Sequence, residues 1–230
     1  MWYFSQVDRA LSLYRQHEMM RAREGLASNS VDPFSSPLKE ELKTAKFTVL
    51  PTRDENGAAL AVFNARLHEP SSSSHKITLQ GILNINLFVK NYLLLHDIHK
   101  DLHKLLMIFF EGVIHQLDVA MEDVVTQRGG LVFVYNMYGS KYGNFDYDLS
   151  QKMLTLLKGC YPARLKKVLI VTAPLWFKAP FKVLRLFVRE KLRDRVFTVS
   201  LPQLVLHITP SCLPKGNDII NFFITKKIAA

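Results

Sequence analysis

Apolar residues recur along this chain either at helical spacing or in short unbroken runs, and the two patterns divide it into amphipathic helices and buried strands. From Asp8 to Glu24 the spacing predicts a helix with Ala10, Leu11, Tyr14 and Met19 on its apolar side and Gly25 as its stop. Ser28 to Ser36 is polar and reads as a linker, and Leu38 to Thr44 as one or two helical turns. Lys46–Leu50 and Ala59–Leu67 are strand-like, and the Asn56-Gly57 pair between them favours a tight turn, so the two form a hairpin. Val113, Ile114, Leu117, Met121, Val124 and Val125 then make a helical stripe that ends at Gly129-Gly130. Leu131–Tyr135 and Val168–Val171 read as buried strands, Asp148–Cys160 as a helix between them, Arg195–Val199 as a third strand and Pro202–Leu206 as a helical turn. Strands separated by helices predict an α/β sheet with parallel neighbours, with the hairpin at one edge.

One stretch stands apart. After Val171, Ala173-Pro174 breaks the chain, and Pro180 stands where a new helix starts. From Phe181 to Arg193, Lys182, Arg185, Arg189 and Arg193 share one face, while Phe181, Val183, Leu184, Phe187, Val188 and Leu192 fill the rest. Lys158 to Arg195 holds eleven Lys or Arg against two acids, a net +9 of the chain's +10. The basicity is therefore local and lies on an amphipathic helix beside a buried strand. It suits an anionic partner: nucleic acid, a membrane surface or an acidic protein.

The 230 residues suffice for one full core, and Cys160 and Cys212 make no disulfide framework, which fits a reducing compartment. The N-terminus has charge too early for a secretory signal, and Gly81–Leu95 and Leu105–Ile114 are too short to span a bilayer. Candidate chemistry is sparse. Cys160 sits near basic residues, but Lys166 stands where a phosphatase-type nucleophile needs its arginine, and Cys160 reads as a structural thiol. His96, His99 and His103, with Asp97 and Asp101 nearby, would share a helix face at zinc-ligand spacing, but no cysteine joins them, and no metal is expected. No glycine-rich phosphate loop or nucleophile elbow occurs, and Ser140 and His115 have no legible catalytic partners. Trp176, Phe177, Phe181 and Phe187 read as cavity wall or core rather than as bases' stacking partners, so nucleic acid is not the expected ligand.

Tyr161-Pro-Ala-Arg-Leu-Lys-Lys-Val-Leu-Ile-Val171, then Ala173-Pro174 and the apolar-basic helix to Arg195, resemble the CRAL-TRIO lipid-binding family. Phe47-Thr-Val-Leu50, Arg53-Asp54, Ala65-Arg-Leu-His68, Thr126-Gln-Arg128 and Gly130-Leu-Val-Phe133 extend the likeness. They resemble in particular the N-terminal lipid-binding domains of megakaryocyte-type non-receptor tyrosine phosphatases. The resemblance implies a mostly parallel, mixed sheet flanked by helices, with a gate helix over an apolar pocket. That gate would be formed here by Phe181, Lys182, Leu184, Arg185, Phe187, Val188 and Arg189. It further implies that Arg164, Lys166, Lys191 and Arg195 grip phosphoinositide phosphates.

By the same resemblance, residues 1–38 are part of a leading helical region and linker, 39–214 the domain, 81–111 a segment without family counterpart, and 215–230 a divergent tail. Joining Gln80 to Gly112 restores a continuous family-like helix, so the segment is expected to loop out or break that helix. Asn136 and Thr172 also depart from the family's usual residues. The implied protein is a monomeric, non-catalytic module without cofactor, its phosphatase half missing. It would hold a phospholipid or phosphoinositide and dock on anionic, cytosolic faces of internal membranes or vesicles. The alternative is a protein-interaction or regulatory module that keeps the fold but no working pocket.

Overall fold

The computed structural model describes residues 2–26, 32–70, 88–156, 161–186, 188, 190–209 and 212; for 2–6, 88–103 and 191 it describes the backbone alone. Its centre is a mixed sheet in the order β1-β2-β3-β4-β5. β1 (Phe47–Arg53) runs antiparallel to β2 (Ala59–Asn64). β3 (Leu131–Asn136), β4 (Leu165–Val171) and β5 (Val196–Val199) then follow β2 in parallel. The hairpin sits at the edge, as its Asn-Gly turn predicts: Asp54 accepts from the Asn56 and Ala58 amides at 2.9 and 2.6 Å, and Gly57 takes φ +76°. The edge of β1 is blunted by a side chain. Gln116 accepts from the Val49 amide at 3.2 Å and donates to the Phe47 carbonyl at 3.0 Å.

Period-two alternation divides the strands between two apolar layers. Phe133, Leu165, Val168 and Ile170 face the helices, and Leu60, Val62, Val134, Leu169 and Val171 face the other way, under Leu204, Ile208 and Cys212. β3 and β4 fit through a bulge: Leu131 pairs with Leu165 and Val132 with Lys167, which makes Lys166 the extra residue. Gly130, at φ +84°, lies so close to the Arg164 carbonyl that a Cβ there would come within 2.2 Å.

On the helical side, α1 (Trp2–Arg23) ends in Gly25, whose amide bonds Ala22 at 3.2 Å while Leu26 bonds Arg21 at 2.7 Å. Its buried face differs from the expected one. His17 and Met20 are inside, whereas Leu11, Tyr14 and Met19 are exposed. The rotation is set by polar anchors: Arg21 pairs with Asp118 at 2.7 Å, the Tyr161 hydroxyl donates to the same carboxylate at 2.9 Å, and His17 meets Tyr161 edge to face.

After α2 (Leu38–Lys43), α3 (Phe88–Met121) runs without interruption through residue 111. The second half of segment 81–111 thus neither loops out nor breaks the helix, because Phe109 and Phe110 carry its apolar stripe into the core. The predicted stripe instead stops at Met121. Asp123 caps a separate α4 (Val124–Gly129), and Val124 and Val125 are exposed. α5 (Tyr147–Thr155) is capped by Asp146, which accepts from the Leu149 amide at 2.9 Å.

The expected single helix from Phe181 to Arg193 is two, α6 (Lys178–Leu186) and α7 (Glu190–Arg193). The bend is secured by Arg193, whose Nε donates to the Val188 carbonyl at 2.8 Å.

Candidate functional site

α6 and α7 cross the helical side of the sheet between the end of β4 and the start of β5, and they leave a cavity of about 260 Å³ beneath them. Its floor is Phe133 and Tyr135 of β3, Val168 and Ile170 of β4, and Val196 and Thr198 of β5. These are i, i+2 pairs on parallel strands, so one alternation rule supplies six lining positions. Ser150, Met153 and Leu154 of α5 close one side. The roof is an amphipathic face, with Phe181, Leu184, Val188 and Leu192 at spacings of three and four. Tyr135 meets Phe177 at a tilt, with ring centroids 6.0 Å apart, and Phe177 stacks on Phe181 at 5.6 Å.

The polar groups of this cavity are few. The Ser150 hydroxyl donates to the Asp146 carbonyl at 2.6 Å. Burial, reinforced by the charge of Asp146, holds the Tyr135 hydroxyl well above its ordinary pKa, so it stays a protonated donor. Burial acts to raise the Asp146 carboxyl, but bonds from His68 and the Leu149 amide, the His68 charge and the Asp148 amide outweigh it and hold Asp146 below its usual range. Arg185 and Arg193 line the cavity and are nonetheless exposed, as is Thr198; these three mark where it opens to solvent.

Of the expected gate residues, Phe181, Leu184 and Val188 turn inward and Arg185 stands at the opening, while Lys182 faces solvent. Phe187 and Arg189 lie outside the described residues. The outward side of the roof is both basic and apolar: Lys178 and Lys182 are exposed beside Leu175 and Leu186, which are 80% and 77% exposed.

Arg164, Lys166 and Arg195 do not line the cavity. They gather where β4 and β5 begin: Arg164 precedes β4, Lys166 is its bulged residue, and Arg195 precedes β5. The Arg195 guanidinium donates to the Leu165 carbonyl at 2.6 Å, so part of its capacity is already used within the fold. Lys191 belongs to α7, and its side chain lies outside the description. Cys160 and the side chains of His96, His99 and His103 do too. Among the described residues no cluster of His, Cys, Asp or Glu suits a metal, and no helix is long and apolar enough to cross a membrane.

The sequence reading missed the floor of the cavity and the role of Arg193 in its opening. The strand alternation carried the signal for the floor. The arginine's position depends on the bend at Val188, which periodicity does not reveal.

Comparison with known proteins fits this architecture. Residues 43–217 match the CRAL/TRIO domain. The chain is 38% identical over 210 residues to tyrosine-protein phosphatase non-receptor type 9 of Homo sapiens, covering 91% of this chain and 30% of that protein. It is 25% identical over 213 residues to human alpha-tocopherol transfer protein-like, covering 90% of this chain and 53% of that one. A crystal structure of Sfh5 superposes with TM-score 0.47 at 13% identity, over 78% of this chain and 54% of that one. The chain thus spans about a third to a half of the length of these curated relatives.

Proposed function

The chain belongs to the CRAL/TRIO domain family, whose domains bind lipophilic ligands, and on that premise we propose that it is a non-catalytic lipid-binding module that docks on anionic cytoplasmic membranes. The observation that carries this reading is the apolar cavity roofed by α6 and α7, an element apolar toward the cavity and basic toward solvent. Such a roof covers an acyl chain from one side and meets headgroups from the other. Exposed Leu175 and Leu186, flanked by Lys178 and Lys182, supply the outward contact.

Phosphoinositide selectivity would come from Arg164, Lys166, Lys191 and Arg195, arginine through its bidentate fork and lysine as a point charge. The grouping of the first two with Arg195 at the start of β4 and β5 supports this assignment. Tyrosine phosphatase activity belongs to the phosphatase relative and is not proposed for this chain, which matches 30% of that protein's length.

The test is co-sedimentation of the purified chain with phosphoinositide vesicles and with phosphatidylserine vesicles of equal total charge. Selective pelleting with phosphoinositide is expected, and Arg164→Glu with Lys191→Glu should abolish the selectivity. These two positions are preferable to Arg195, whose loss would also release the Leu165 carbonyl. Equal pelleting with both lipids would reduce the site to a cationic surface. No pelleting, from folded protein without co-purifying lipid, would favour a protein-interaction module instead.

A further inference from the structure

The cavity's size and the charge at its opening go further than its apolar lining. About 260 Å³ lies just below the roughly 300–1,000 Å³ usual for small-molecule pockets. It suits one chain rather than two. Phe133 and Met153 also wall a second, smaller void of about 20 Å³, deeper between the sheet and Leu117 of α3. Methionine is unbranched and repacks readily, so a turn of Met153 would join the two spaces into one narrow track. A track that lengthens at one end takes a linear tail.

At the other end stand Arg185 and Arg193, one on each side of buried Val188. Arg193 is held by its Nε bond to the Val188 carbonyl, which leaves the outer edge of its guanidinium available. Among the described residues neither arginine has an acidic partner within ion-pair distance. Glu190 and Asp194, their acidic neighbours on the chain, are exposed. Two uncompensated guanidinium groups at the rim of an apolar cavity match an anionic head on an apolar tail.

The geometry points to a single-chain anionic lipid, a long-chain carboxylate or monoalkyl phosphate, as the ligand, with its head between Arg185 and Arg193 and its tail running past Met153. This rests on the reading of the cavity as a lipid pocket, and it makes the roof arginines part of the interior ligand's site, distinct from the proposed phosphoinositide contacts at the start of β4 and β5.

The experiment measures transfer of radiolabelled lipid from neutral phosphatidylcholine vesicles to the delipidated full chain. Four lipids share one tail type: oleate, oleyl phosphate, oleyl alcohol and dioleoyl phosphatidate. Oleate and oleyl phosphate are expected to load at least tenfold better than the alcohol or the two-chain phosphatidate. Arg185→Gln, at a side chain with no hydrogen bond among the described residues, should bring the acid-to-alcohol loading ratio down toward one, with the melting temperature unchanged. Met153→Trp should shift preference from oleate toward decanoate. Equal loading of oleyl alcohol and the acids by wild type, or a preference for the acids that survives Arg185→Gln, would overturn the anionic-head assignment and leave the apolar pocket standing. Better loading of phosphatidate would overturn the single-chain assignment. Failure of all four lipids to load would overturn both this inference and the lipid-binding reading.

Discussion

Single residues do more here to place elements than to perform chemistry. Asp118 joins three parts of the chain: it takes Arg21 from α1 and the Tyr161 hydroxyl from the segment before β4, and itself belongs to α3. Asp118→Ala leaves Arg21 without its partner and should lower stability by about 1–3 kcal/mol, read by denaturant unfolding, with α1 gaining amide exchange ahead of the sheet. Burial, with the Asp118 charge and hydrogen bond, raises the Tyr161 pKa, so that hydroxyl remains a donor throughout the ordinary pH range. Asp146 gives the pH dependence. Its folded pKa lies below its unfolded one, so its stabilisation is full above the unfolded value, about 3.9, and is lost as pH falls through the folded value. Asp146→Asn keeps the cap on α5 but removes the carboxylate charge that faces His68 at 3.3 Å. The thermal midpoints of variant and wild type should therefore differ near neutrality and converge below about pH 4. A constant gap down to pH 2 would show that the carboxylate's charge contributes nothing.

At the scale of elements, the apolar period located the helices and strands well but often misjudged the buried face. It placed α1 but turned it by part of a revolution, because Arg21, His17 and Tyr161 fix its rotation and no apolar count reveals such long-range partners. It ran α3 into α4 because Val124 and Val125 keep the period, although the Asp123 cap starts a new helix and leaves both valines exposed. Segment 81–111 is the harder case. Its lack of a family counterpart remains our proposal, yet Phe109 and Phe110 are 3% and 2% exposed. Phe110→Ala should cost about 3–5 kcal/mol in unfolding. Deleting 81–111 would bring Leu79 to the place of Phe110 and Thr78 to that of Phe109. The deletion should therefore fold with a loss smaller than Phe110→Ala if Leu79 fills the core, which thermal unfolding of the two variants decides. The roof shows the reverse situation: its inward residues were legible from spacing alone, since Leu184, Val188 and Leu192 keep the period across the bend.

For the whole molecule, the directions of the strands and the edge position of the hairpin were legible in the sequence: a short Asn-Gly turn favours an antiparallel pair, and helical connections favour parallel ones. The cavity was not legible in the same way. A void is a difference between large packed volumes, and it depends on how far the bend at Val188 lifts the roof from β3, β4 and β5. Charge distribution was legible, and it carries the last prediction. Because Lys158–Arg195 holds +9 of a total of +10, attraction to an anionic bilayer should act through one side of the molecule rather than through its net charge. Each basic residue near such a surface contributes about 1 kcal/mol, and the Debye length shortens from about 10 Å at 0.1 M salt to about 3 Å at 1 M. Lys178→Glu with Lys182→Glu should thus weaken binding to phosphatidylserine vesicles at least tenfold at 0.1 M salt, and by much less near 1 M. Leu175→Gln with Leu186→Gln, which leaves the charge unchanged, should weaken it at both, because insertion of exposed apolar side chains is not screened. If both pairs show the same salt dependence, the roof binds by charge alone, and its outward leucines have another purpose.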